Sequence, residues 1–165
     1  MSRNATTQRA ANLLMHREMP TNEKRILIAD DDDAIRTLLF TILRRRGFAV
    51  DMAHNGAEAL RRLRHCRYSV LLLDLMMPVK SGWEVLDELK NVPLDARPVV
   101  LVMTAGVDSG DLDPGLIAGS ISKPFDVELL IETVMACMNA LTERNQLPDC
   151  PPADSSAVNP SDKVN

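Results

Sequence analysis

The stretch Ile26-Leu27-Ile28-Ala29-Asp30-Asp31-Asp32-Asp33-Ala34-Ile35-Arg36 decides the fold. Four apolar residues with no polar position between them suit a strand buried on both faces, as in parallel sheets covered by helices. The run stops on four aspartates, and a helical pattern begins at once. Ile35, Leu38, Leu39, Ile42 and Leu43 recur at the spacing of one helix face. Asp32 and Asp33 read as N-cap and first turn, and Arg44-Arg45-Arg46 with Gly47 as a last turn and cap that suit the helix dipole. Strand, acidic turn and helix form the first unit of an α/β protein.

The unit repeats outward along the chain. Phe48 to Ala53 reads as a second strand, His54-Asn55-Gly56 as a turn and Ala57 to His65 as a second helix. Tyr68 to Leu73 is a third buried strand that ends on Asp74, and a loop through Met77-Pro78 and Ser81-Gly82 leads to a helix from Trp83 to Lys90. Pro98 to Met103 runs into Thr104. Gly119 to Ser122 makes a short fifth strand before Lys123-Pro124, and Asp126 to Leu141 a last helix whose inner face is Val127, Leu130, Ile131, Val134 and Met138. Such alternation predicts a parallel sheet between helices, joined by right-handed crossovers. Between Thr104 and Lys123 lie Gly106, Gly110, Gly115, Gly119 and Pro114. An interior Gly costs a helix about 1 kcal/mol and Pro about 3, so the helix between strands four and five is expected to be short or irregular.

The 165 residues hold one domain with a remainder: a leader over 1–23 and, from its Pro, Ser and Asp content, a disordered tail over 144–165. Aromatics are only 3%, which excludes a base-stacking platform for single-stranded nucleic acid. Cys66, Cys137 and Cys150 show no metal-binding or disulfide spacing. No apolar run approaches a membrane span, and the N-terminus lacks a signal peptide's apolar stretch, so a cytoplasmic protein without a membrane partner is expected. Net charge is -4, divided as +5 over residues 1–67 and -9 over 68–165. The arginines ending the first two helices read as dipole compensation and a solvated rim, and His16, His54 and His65 as surface residues away from the strand ends.

Ligands of a parallel α/β sheet sit at the carboxyl ends of its strands. Those ends deliver Asp30 and Asp31, then Asp74, then Thr104, then Lys123. Carboxylates gathered at one edge repel unless a cation joins them, and oxygen donors alone imply Mg2+. The hydroxyl and the ammonium suit a phosphoryl group, and a carboxylate beside Mg2+ can itself be the nucleophile.

The segments ILIADDDDAIR (26–36), YSVLLLDLMMPVKSGWEVL (68–86), VVLVMTA (99–105) and SKPF (122–125) resemble the receiver domain of bacterial two-component response regulators, here of stand-alone type. Asp74 follows Asp31 by 43 positions and Thr104 follows Asp74 by 30, which also agrees with that family. The resemblance covers residues 24–143 and implies a flavodoxin-like, doubly wound sheet of five strands in the order 2-1-3-4-5. It implies Asp74 as phosphoacceptor, with Asp31, Asp74 and the main-chain carbonyl of Met76 on Mg2+ and Asp30 acting largely through water on the metal. Thr104 would hydrogen-bond phosphoryl oxygens, Lys123 would pair with Asp74 and then with the phosphate, and Lys123-Pro124 would be cis. The implied partners are a sensor histidine kinase or phosphotransfer protein and a downstream protein, reached by contact or onward phosphotransfer, with no nucleic acid. The molecule would be a monomer or a phosphorylation-dependent dimer, and no enzyme beyond its own phosphorylation and dephosphorylation.

Two other readings compete. A phosphorylation-independent adaptor is suggested by Ser120, which stands where the family places an aromatic, and by the glycine-rich stretch 106–118. If that aromatic coupling and that helix are missing, signalling is expected to use another face or order and disorder within 106–118. A small aspartyl-phosphate phosphatase would need a second Asp two residues after the nucleophile, where Met76 stands. Neither Met76 nor Gly106, two after Thr104, can orient an attacking water, so slow self-dephosphorylation is expected.

Overall fold

The structure, a computed structural model, describes residues 24–106 and 112–143. The expectations for the leader 1–23, the tail 144–165 and residues 107–111 lie outside the described residues. The described chain alternates β1 (Arg25–Ala29), α1 (Asp33–Arg45), β2 (Ala49–Ala53), α2 (Gly56–His65), β3 (Val70–Asp74), α3 (Gly82–Leu89), β4 (Val99–Thr104), β5 (Gly119–Ser122) and α4 (Val127–Glu143). All strand pairs are parallel and the order is β2-β1-β3-β4-β5, the doubly wound arrangement expected. Element ends shift from the sequence reading by a residue or two, as frayed ends do.

The alternation of side chains along each strand divides the core in two. Leu27, Ala29, Leu71, Leu73, Val100 and Val102 face α2 and α3, where Leu60, Val85 and Leu89 meet them. Ile26, Ile28, Val70, Leu72, Leu101 and Met103 face α1 and α4, where Leu39, Leu43, Leu130 and Val134 close the second layer. Every residue of β1 and β3 is buried, which is why these strands read as continuous apolar runs.

Leu38 departs from the expected stripe and is 45% exposed. It stands about 100° round the helix from Leu39, while Ile35, Leu39, Ile42 and Leu43 hold the side toward the sheet. Asp32 caps α1 as read, its carboxylate accepting the amides of Ala34 at 2.8 Å and Ile35 at 3.1 Å. Gly47 follows with φ 86°, a left-handed turn that ends the helix.

No helix occurs in the described part of the β4–β5 connection. Residues 112–118 make a turn in which Leu116 N donates to Asp113 O at 2.9 Å and Gly115 N to the Asp113 carboxylate at 2.8 Å. Leu112 and Leu116 reach under the sheet and cover part of the face a helix would cover. The sequence reading missed a buried polar group at the amino ends of the strands. Asp51 accepts from Arg25 at 2.9 Å and from the Tyr68 hydroxyl at 2.8 Å. Burial and the neighbouring Asp51 charge raise the Tyr68 pKa, so the phenol keeps the proton it donates.

An acidic pocket at the strand ends

Parallel register sets the site. Ala29 stands opposite Leu73 and Asp74 opposite Met103, so the residues that follow β1, β3, β4 and β5 gather at one edge of the sheet. Asp30 is fully buried and Asp74 and Thr104 nearly so, whereas Asp31 is exposed. Lys123, just past β5, donates from Nζ to Asp30 Oδ2 at 2.8 Å and to Asp74 Oδ2 at 2.7 Å. Its main-chain N–H donates to Thr104 O at 2.7 Å, and the Lys123-Pro124 peptide is cis. One ammonium thus ties residues 93 and 49 positions away.

The two buried carboxylates are held differently. Asp30 Oδ1 accepts the Asp32 amide at 2.9 Å. Asp74 Oδ1 accepts the Met76 amide at 3.0 Å. Burial raises the Asp30 pKa, only partly offset by its hydrogen bonds from Lys123 and Asp32. Burial works against the Lys123 charge too, but the hydrogen bonds to the two aspartates outweigh it and raise its pKa.

Oxygens of Asp30, Asp31 and Asp74 all lie within 4.8 Å of one another. Three hard oxygen donors so close suit Mg2+ in chemistry and spacing. Thr104 Oγ1 is buried and has no hydrogen-bond partner among the described residues. A buried hydroxyl without a partner is costly, so its place beside the carboxylates favours a ligand that brings an acceptor oxygen. Each residue singled out at the strand ends is therefore in this pocket. For Met76 the structure shows the amide contact to Asp74, and its side chain turns outward, 64% exposed.

Three contributors were not singled out from sequence. Arg36 donates from Nη1 to the main-chain carbonyl of Asp30 at 2.7 Å and from Nη2 to the Asp33 carboxylate. Gly82 opens α3 directly against the loop that follows Asp74, where an added Cβ would lie 2.2 Å from the carbonyl oxygen of Asp74. Gly56 N donates to Lys80 O at 2.9 Å, joining the β2–α2 and β3–α3 turns. His54 needs correction. It is exposed as read, but it follows the last residue of β2 and so stands at the same sheet edge as Asp30, whose amide donates to Ala53 O at 3.1 Å. Its Nδ1 sits 2.5 Å from the Glu58 carboxylate, part of the N-terminal cap of α2.

Fold and site together define a doubly wound α/β protein with a lysine-bridged acidic pocket at its strand ends. The chain belongs to the response regulator receiver domain family, whose model matches residues 26–135, and so to two-component signal transduction. It is 39% identical over 141 residues to the response regulator MprA of Mycobacterium ulcerans, covering 84% of this chain and 58% of that one. It is 34% identical over 126 residues to the transcriptional regulatory protein ResD of Bacillus subtilis, covering 74% of this chain and 51% of the relative. The chain thus spans a little over half the length of these curated relatives. Among solved structures, the response regulator TrrA of Thermotoga maritima in complex with Mg2+-BeF is 34% identical with a TM-score of 0.62, over 69% of this chain and 98% of that one. A signal receiver domain from Bermanella marisrubri is 31% identical with the same TM-score, over 71% and 99%. The acidic pocket is the place at which receiver domains bind Mg2+. No helix of the described residues is long and apolar enough to cross a membrane.

Proposed function

We propose that this chain is a phosphorylation switch in which Asp74 takes a phosphoryl group from the phosphohistidine of a sensor histidine kinase or phosphotransfer protein. A carboxylate oxygen of Asp74 attacks phosphorus, the new P–O bond forms as the P–N bond breaks, and the imidazole leaves with its electron pair. The observation that carries this reading is the ammonium of Lys123, 2.7 Å from Asp74, beside a buried Thr104 hydroxyl with no hydrogen-bond partner among the described residues. Lys123 and Thr104 supply a charge and a hydrogen-bond donor for the phosphoryl oxygens as they arrive. Mg2+ would be held by Asp31 and Asp74 with the main-chain carbonyl of Met76, and by Asp30 at longer range. When bound it offsets the charge that three carboxylates and a phosphoryl group bring together. Support also comes from the Mg2+-BeF complex of the Thermotoga relative.

In this reading the protein is no enzyme beyond its own phosphorylation and dephosphorylation. It works in the cytoplasm and passes its signal to a protein partner or onward phosphotransfer rather than to nucleic acid. Incubation with acetyl phosphate and Mg2+, followed by peptide mapping, tests it. One phosphoryl group on Asp74, lost in Asp74→Asn and with chelator, is the expected result. Turnover of phosphomonoesters would favour a phosphatase. Absence of any labelling would favour a phosphorylation-independent adaptor, the reading to which Ser120, exposed on β5 where an aromatic was expected, also points.

A further inference from the structure

Arg36 contacts none of the three clustered carboxylates, yet it is bound to the loop that carries two of them. Its side chain is only 14% exposed although it springs from a surface helix. One arm of the guanidinium donates to the carbonyl of Asp30 at 2.7 Å, and the other reaches the carboxylate of Asp33. Arg36 N donates to Asp32 O at 3.0 Å, so the residue is one helical turn beyond the N-cap and folds back over it.

Asp31 lies between two anchored neighbours. Asp30 is held through its amide by Ala53, through its carbonyl by Arg36 and through its carboxylate by Lys123 and the Asp32 amide. Asp32 is held as the cap of α1. The Asp31 carboxylate itself has no hydrogen bond or ion pair among the described residues, although its oxygens fall within the acidic cluster. Its backbone is fixed while its ligand atoms stay open.

We infer that Arg36 is a positioning residue of the metal pocket: its forked contacts to the Asp30 carbonyl and the Asp33 carboxylate lock the β1–α1 turn so that Asp31 is presented to a divalent cation. This inference rests on the proposed Mg2+-dependent function. A planar fork reaches a carbonyl and a carboxylate together, whereas a lysine ammonium carries the same charge without that geometry. Groups that orient metal ligands typically change metal affinity by about 10- to 100-fold when removed.

Two accounts of Arg36 differ in sign. If it acts only as a nearby positive charge, its removal strengthens Mg2+ binding and Arg36→Lys leaves binding unchanged. If it positions Asp31, both Arg36→Met and Arg36→Lys weaken binding. The experiment is a calorimetric Mg2+ titration of the full chain and the two variants at neutral pH, with thermal unfolding in chelator as a control for folding. The expected result is about tenfold weaker binding in both folded variants. Amide exchange in chelator should also quicken at Asp32, whose N–H the locked turn bonds to Asp30. Wild-type affinity in Arg36→Lys, or tighter binding in Arg36→Met, overturns the inference. If Arg36→Met fails to fold, Arg36→Lys decides alone. Absence of Mg2+ binding by the wild type overturns the proposed function, and the positioning role with it.

Discussion

At the scale of single residues, Asp30 and Asp74 are joined through one ammonium, and Asp30 carries the cost of full burial. Its raised pKa means that the folded state holds the proton more tightly than the unfolded chain, whose value is near 3.8. Its contribution therefore favours folding at acid pH and is lost as pH rises through the folded pKa. Asp30→Asn removes that loss. In chelator at neutral pH the variant should be more stable than wild type, and the gap should close as the pH is taken down through the raised pKa. A neutral-pH denaturation midpoint at or below that of wild type would contradict this account. A second consequence concerns the lifetime of the phosphoryl group. Met76 points into solvent and Gly106 has no side chain, so neither holds a water in line for attack on phosphorus. Loss of phosphate from purified, phosphorylated protein should take minutes or longer, and decay within seconds would sink that expectation.

At the scale of elements, the start of α3 is the most constrained junction. Ser81 and Glu84 close a reciprocal cap, with Ser81 N donating to the Glu84 carboxylate at 2.8 Å and Glu84 N to Ser81 Oγ at 3.3 Å. Gly82, inside that cap, lies against the main chain of Asp74 and Leu75. Gly82→Ala should destabilise by about 3 kcal/mol, at the upper end for overpacking, and should slow labelling of Asp74. Urea unfolding together with acetyl phosphate labelling checks both, and unchanged values would show that the helix start yields without moving Asp74. The preceding turn carries strain as well. Val79, 83% exposed, is β-branched and holds φ 69°. Val79→Gly should raise stability by up to about 1 kcal/mol, since relief of about 1–3 kcal/mol of backbone strain is partly offset by the entropy of glycine. Equal or lower stability would mean that the turn tolerates the branch.

The alternation of strand and helix was legible because apolar periodicity is local. The pocket was legible because parallel strands deliver their carboxyl ends to one place. The fork of Arg36, the Gly56–Lys80 link and the Arg25–Asp51–Tyr68 group were not. Each depends on two segments meeting in space, and an arginine near a helix start or an aspartate within a strand looks the same in sequence whether solvated or buried.

At the scale of the whole molecule, acid and base are separated along the sheet. Asp30, Asp31 and Asp74 gather at the carboxyl ends of the strands, while Arg44 and Arg45 end α1 and Arg62, Arg64 and His65 end α2 at the opposite end. Part of that basic character is already neutralised, since Arg62 donates to Glu58 at 2.9 Å. The chain should therefore leave duplex DNA unshifted in a mobility assay at about 0.15 M salt, where nonspecific phosphate contacts are weak. A sequence-specific complex under those conditions would refute output through protein alone. The long reach of Lys123 bears also on how the molecule is made. Synthesis runs from the N-terminus, so a nascent chain exposes Asp30 and Asp74 well before residue 123 clears the ribosome. Until then two carboxylates destined for burial have no ammonium between them. Lys123, just past β5, is thus what makes the central strands electrostatically tolerable, and a release of the chain before residue 123 should yield a product that depends on divalent cations, or on a chaperone, to stay out of aggregates.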